Sequence, residues 1–163
     1  MGELDGKVAI ITGAGRLRSI GYSTAMALAD LGCNIVATGT GRDPATFPPD
    51  EREVGWKDIE STAEHVRARG PRALTVVGNV TSVADVDMIM ERTLDEFGRV
   101  DILVNNAAMA IGADRVPIVD LDPDVFQGVL DVKVRGTYLC SKAVAKQLLK
   151  QGEGGKIVNI ASA

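Results

Sequence analysis

Five short runs along the chain are continuously apolar and rich in β-branched side chains: Val8-Ala9-Ile10-Ile11-Thr12, Ile35-Val36-Ala37-Thr38, Ala73-Leu74-Thr75-Val76-Val77, Asp101-Ile102-Leu103-Val104-Asn105 and Lys156-Ile157-Val158-Asn159-Ile160. A strand with one wet face alternates apolar and polar residues. A run without that alternation has both faces buried, which is the habit of parallel strands.

Helical segments lie between these runs. Ser19 to Leu31 is closed by Gly32, and Trp56 to Arg69 ends at Gly70-Pro71. A third segment opens on Ser82-x-x-Asp85, a capping pattern, and places Val86, Ile89, Met90, Leu94 and Phe97 on one face before Gly98. The fourth is a single helix from Pro123 to about Lys150. The order β-α-β-α-β-α-β-α-β requires right-handed crossovers and points to a doubly wound parallel sheet; if the sheet is Rossmann-like, its strand order is 3-2-1-4-5. With 163 residues, 45% of them hydrophobic and 25% charged, the chain reads as one domain, residues 1-163, able to bury roughly 70% of its unfolded surface.

One connection departs from this economy. From Gly41 to Gly55 the chain inserts Pro44, Pro48, Pro49 and several charges where a tight strand-to-helix turn is usual. Two readings stand: a tolerated surface excursion, or a flap beside a ligand crevice, because loops at the carboxyl ends of strands face that crevice.

Several function classes are disfavoured. A net charge of −4 provides no broad basic field for nucleic acid or anionic lipid. The start Met1-Gly2-Glu3-Leu4-Asp5-Gly6 resembles neither a signal peptide nor a myristoylation site, and the longest uncharged apolar stretches fall short of a membrane span; a cytoplasmic protein is expected. Cys33 and Cys140 read as small core residues, and the one histidine, His65, as part of a solvated helix face. No metal site is expected.

The chemistry concentrates at strand ends. Thr12-Gly13-Ala14-Gly15-Arg16-Leu17-Arg18-Ser19-Ile20-Gly21 follows the first run and opens the first helix, the context in which a backbone can approach a pyrophosphate and aim helix N–H groups at it. Asn105-Asn106-Ala107-Ala108 ends the fourth run and Asn159-Ile160-Ala161-Ser162 the fifth. Together these segments resemble the short-chain dehydrogenase/reductase family over essentially the whole chain. The resemblance implies an NAD(P)-dependent oxidoreductase that moves hydride between a nicotinamide cofactor and a small carbonyl or alcohol. It also implies a chain that stops after the catalytic-serine strand, its sheet incomplete on the carboxyl-terminal side.

Residue by residue, the resemblance implies cofactor contacts from Thr12, Gly13, Gly15, Arg16, Ser19, Ile20, Gly21, Asn106 and Ala107. Asn79 and Val80 follow the third run, Asn79 standing where the family has an aspartate near the adenine. The glycine turn is two residues longer than the common family form and is similar to the enoyl reductase variant. At the end of the second run, Thr38-Gly39-Thr40-Gly41-Arg42 has no acid to bind a ribose 2′-hydroxyl, and Arg16 and Arg42 could neutralise a 2′-phosphate; NADP(H) is therefore expected over NAD(H).

Among catalytic positions, Ser162 matches the family's serine, and Lys133 stands where the family has asparagine. A Lys133 snorkelling from the helix competes with any catalytic reading of it. Tyr138-x-x-x-Lys142 has the family's spacing but precedes Ser162, and so reads as a coincidence. With no other Tyr-x-x-x-Lys, the alternatives to an enzyme are a dinucleotide-binding module or an inactive fragment, and cofactor binding without substantial turnover is expected. Homologous helices pair subunits in the family, which implies a homo-oligomer for a complete domain.

Overall fold

The computed structural model describes residues 2–109 and 112–161. Five parallel strands form one sheet: β1 (Val8–Thr12), β2 (Asn34–Gly39), β3 (Ala73–Val77), β4 (Ile102–Asn105) and β5 (Lys156–Asn159), in the expected spatial order β3-β2-β1-β4-β5. Register runs Thr12 against Thr38 and Ile11 against Val104, so the carboxyl ends of β1, β2 and β4 lie level. The order reverses beside β1, and a crevice opens there in folds of this type.

Helices cover both faces. α1 (Ile20–Asp30) and α3 (Ile59–Arg67) lie on one side, where Ala9, Ile11, Ile35 and Ala37 meet Ala25, Met26, Ile59 and Val66. α4 (Val83–Phe97) and α6 (Thr137–Gln151) lie on the other, where Val8, Ile10, Val36 and Leu103 meet Val86, Ile89, Cys140 and Val144. Successive residues of β1 thus enter opposite cores, which is why that run contains no polar alternation. The expected ends are in place: Ser19 caps α1 through the Tyr22 amide, Ser82 caps α4, and Gly98 closes α4 at φ +74°.

Three expectations change. The fourth helical segment is not one α-helix: α5 (Pro123–Leu130) passes into a π-helical turn (Asp131–Gly136) and then into α6. The widened turn falls where Gly136 abuts Val80 so closely that a Cβ would lie 2.6 Å from Val80 Cγ2. Hydrophobic periodicity averages over such a local register change and does not register it. Second, β5 is exposed along its length instead of buried on both faces, because β4 is its one neighbour. Third, the insertion is ordered into a 3₁₀ turn (Pro44–Thr46) and a short helix, α2 (Pro49–Glu53), with Phe47 and Glu51 buried.

Candidate cofactor site

The glycine turn is held from the β4 side by one hydroxyl. Thr12 Oγ1 accepts from the amides of Asn106 and Ala107, both at 3.0 Å. The Asn106 side-chain amide returns the contact, donating to the carbonyls of Thr12 (2.9 Å) and Gly13 (3.0 Å). Gly13 takes φ +68°, and a Cβ there would lie 2.8 Å from Ala107 Cα. Only glycine permits both that conformation and that approach. A Cβ at Gly21 would likewise meet Asn106 Nδ2 at 2.6 Å. Thr12, Gly13, Gly21, Asn106 and Ala107 are therefore brought together as one polar seam.

Beyond the seam the chain enters α1, where the first i→i−4 bond runs from the Ser23 amide to the Ser19 carbonyl. The amides of Ile20 and Gly21 precede it and are the orphan donors of a helix start, with the positive end of the helix dipole behind them. Ser19 caps the turn, its hydroxyl donating to the Arg16 carbonyl at 2.9 Å and accepting from the Tyr22 amide at 3.1 Å. Ile20 is 58% exposed and Arg16 is exposed beside it. Across the sheet, Asn79 Oδ1 accepts from the Thr81 amide and hydroxyl, each at 3.0 Å, which leaves the Asn79 NH₂ group as donors at an exposed position. Val80 is buried beside it.

The other side of the turn is held by residues that sequence reasoning missed. Trp56 Nε1 donates to the Gly15 carbonyl (2.6 Å), Thr62 Oγ1 to the Ala14 carbonyl (2.7 Å), and the Leu17 amide donates to Glu51 Oε1 (2.9 Å). Trp56 also meets Tyr22 and His65 edge-on, with the Tyr22 hydroxyl 2.8 Å from His65 Nδ1. His65 is on an exposed face as expected, but it is engaged there. The available signal was the chain's one tryptophan, set in a polar stretch.

Arg42 does not stand ready for a 2′-phosphate. Its Nε donates to Asp58 Oδ1 (3.0 Å), Nη1 to Glu51 Oε2 (2.9 Å), and Nη2 to the Gly15 carbonyl (2.8 Å), while the Phe47 ring lies 4.5 Å from its guanidinium carbon. The insertion, most of whose residues are exposed, is a strap fastened to the glycine turn by a largely buried guanidinium. Arg42 is removed from the residues supporting NADP(H).

Of the catalytic positions, Ser162 lies outside the described residues. Lys133 sits in the π-turn, exposed. Tyr138 is exposed on α6 with the Lys142 ammonium 5.6 Å from its ring centroid, a contact with the ring face. No cluster of metal-ligating side chains occurs among the described residues.

A family model for short chain dehydrogenases matches residues 7–163. The chain belongs to the short-chain dehydrogenase family. A short chain dehydrogenase/reductase from Aspergillus oryzae, astE, is 38% identical over 162 residues, covering 99% of this chain and 55% of the relative. Carveol dehydrogenase from Mycobacterium avium, solved in complex with NAD, is 28% identical with a TM-score of 0.83 over 99% of this chain and 56% of its own. A metagenomic short-chain oxidoreductase solved with NADP is 26% identical with a TM-score of 0.78, covering 98% of this chain and 64% of its own. The chain thus spans little more than half the length of these short-chain dehydrogenases. Their cofactors include both NAD and NADP.

Proposed function

We propose that the chain binds a nicotinamide dinucleotide across the carboxyl ends of β1, β2 and β4, and that the protein it represents moves hydride between that cofactor and a small carbonyl or alcohol. The observation that carries this reading is the pairing of the helix start with the Thr12–Asn106 seam. The amides of Ile20 and Gly21 precede the first helical hydrogen bond, and the turn beside them is built of glycines packed on Asn106, Ala107 and Asp58.

The bound cofactor would supply the hydride. The chain's own residues bind and orient: Gly13, Gly15 and Gly21 admit the pyrophosphate to the backbone donors of the turn and helix start, Ser19 caps that turn, the exposed Ile20 packs against an apolar ring face, and the Asn79 NH₂ group and Val80 meet the adenine. Asn106 and Ala107 fix the turn. Ser162 is assigned the substrate oxygen, to which a hydroxyl donates as charge develops on it. Lys133, exposed and unlike the family's asparagine, is assigned no proton-relay role, since an ammonium cannot accept a hydrogen bond.

Replacing Gly21 by valine tests the binding reading. Its side chain would press on Asn106 and close the approach to the helix start, so NADH and NADPH binding should fall at least roughly tenfold while the far-ultraviolet spectrum is retained. Undiminished binding to a folded Gly21→Val protein would place the dinucleotide elsewhere.

A further inference from the structure

The end of β2 carries Gly39, where an acidic side chain would mark a preference for the unphosphorylated ribose. The space beside Gly39 is not empty of charge. Asp58, from the loop leading into α3, brings its carboxylate there: a Cβ built on Gly39 lies 3.9 Å from Asp58 Oδ2, and a Cβ on Gly15 would overlap Asp58 Oδ1. The carboxylate that β2 lacks therefore stands between the end of β2 and the glycine turn, delivered by a residue 19 positions further along the chain.

Its placement is held against local preference. Asp58 has φ +54° and ψ −134°, and it is the one non-glycine residue with positive φ among those described. It precedes α3 yet makes no capping bond with its side chain. The carboxylate instead receives the Arg42 amide (3.1 Å) and Arg42 Nε (3.0 Å). Backbone strain of this kind persists where surrounding contacts over-determine it, and it collects at ligand sites. Each oxygen accepts one recorded bond and retains a lone pair for a hydroxyl donor.

The local charge balance has the same sign. One guanidinium, Arg42, is paired with two carboxylates, Glu51 and Asp58, all three largely buried. A phosphate monoester brought to this cluster meets net negative charge. Arg16 and Arg18 are exposed cations in the turn, Arg18 lying 3.4 Å from Asp50; their long side chains must be ordered to meet an anion, whereas the Asp58 carboxylate is fixed in position.

We infer that Asp58 is the specificity-determining residue of the dinucleotide site, accepting the ribose 2′-hydroxyl of NAD(H) and excluding the 2′-phosphate of NADP(H), in reversal of the expectation drawn from the sequence. The inference rests on the cofactor-binding reading above.

Titration of the intact chain with NADH and with NADPH, followed by nicotinamide fluorescence, tests it. NADH should bind roughly tenfold tighter or more. Asp58→Asn should bring the two affinities close to each other, and Asp58→Glu should restore the preference. On the wild-type protein alone, 5′-AMP should displace NADH more readily than adenosine 2′,5′-bisphosphate, which keeps the test independent of whether Asp58→Asn folds. NADPH binding as tightly as NADH, or an unchanged ratio in folded Asp58→Asn, would overturn the assignment and leave the cofactor reading intact. Failure of both nucleotides to bind would overturn that reading, and this inference with it.

Discussion

At the scale of single residues, Thr12 and the two cysteines show how much depends on burial. Thr12 Oγ1 is the acceptor for two neighbouring amides, so Thr12→Val removes one hydroxyl and strands two donors. A loss of about 1–3 kcal/mol in unfolding free energy is expected, measured by urea titration. Burial pushes the Cys33 thiol up to about 12, reinforced by the nearby Asp101 charge, and the Cys140 thiol up to about 11. Thiolates are scarce at pH 8 in both cases, so the native protein should leave a disulfide reagent unreacted, and both cysteines should react on denaturation. Rapid native-state labelling of either would contradict the buried placement. The sequence made Thr12 and both cysteines legible, because Thr12 and Cys33 lie in or beside a strand motif and Cys140 lies in a long helical segment. Glu51 and Asp58 were not legible: a carboxylate in Pro49-Asp50-Glu51-Arg52-Glu53 is indistinguishable from solvated charge until the chain folds back on Arg42.

At the scale of elements, two junctions carry the sheet and its site. Asp101 joins the start of β1 to β4, accepting from the Val8 amide, Lys7 and Arg99. Burial alone would raise its pKa, but the hydrogen bonds from Arg99, Val8 and Lys7 outweigh that effect and hold the carboxyl below the usual carboxylate range. A depressed folded pKa contributes stability above the unfolded value, about 3.9, and that contribution is lost as pH falls through the folded value. Wild-type stability should therefore decline more steeply below about pH 4 than that of Asp101→Asn, which should be weaker at neutral pH. Parallel acid unfolding curves would argue against the junction. The strap is the second junction: Glu51→Ala removes one of the two carboxylates paired with Arg42, leaving Asp58, and leaves the Leu17 amide without its acceptor, so it should cost about 1–3 kcal/mol, read as a lowered melting temperature. Strand order and helix caps were readable because apolar runs, Ser19, Ser82 and Gly98 act locally. The π-turn and the strap escaped because each involves a contact distant in sequence, Gly136 with Val80 and Arg42 with Gly15.

For the whole molecule, the doubly wound sheet has its switch point beside β1, where folds of this type open a crevice, and the chain belongs to the short-chain dehydrogenase family. Apolar surface remains uncovered at β5, Phe126, Val134, Tyr138 and Leu149. An open strand edge beside exposed apolar helix faces favours self-association, so sedimentation of the chain should show a concentration-dependent increase in mass. The central claim is cofactor binding at the glycine turn, and calorimetric titration of NADH into the folded chain tests it most directly. The expected result is saturable binding of one dinucleotide per chain, abolished by prior saturation with NAD. Absence of binding by NADH and NADPH alike, with the fold intact by circular dichroism, would contradict it.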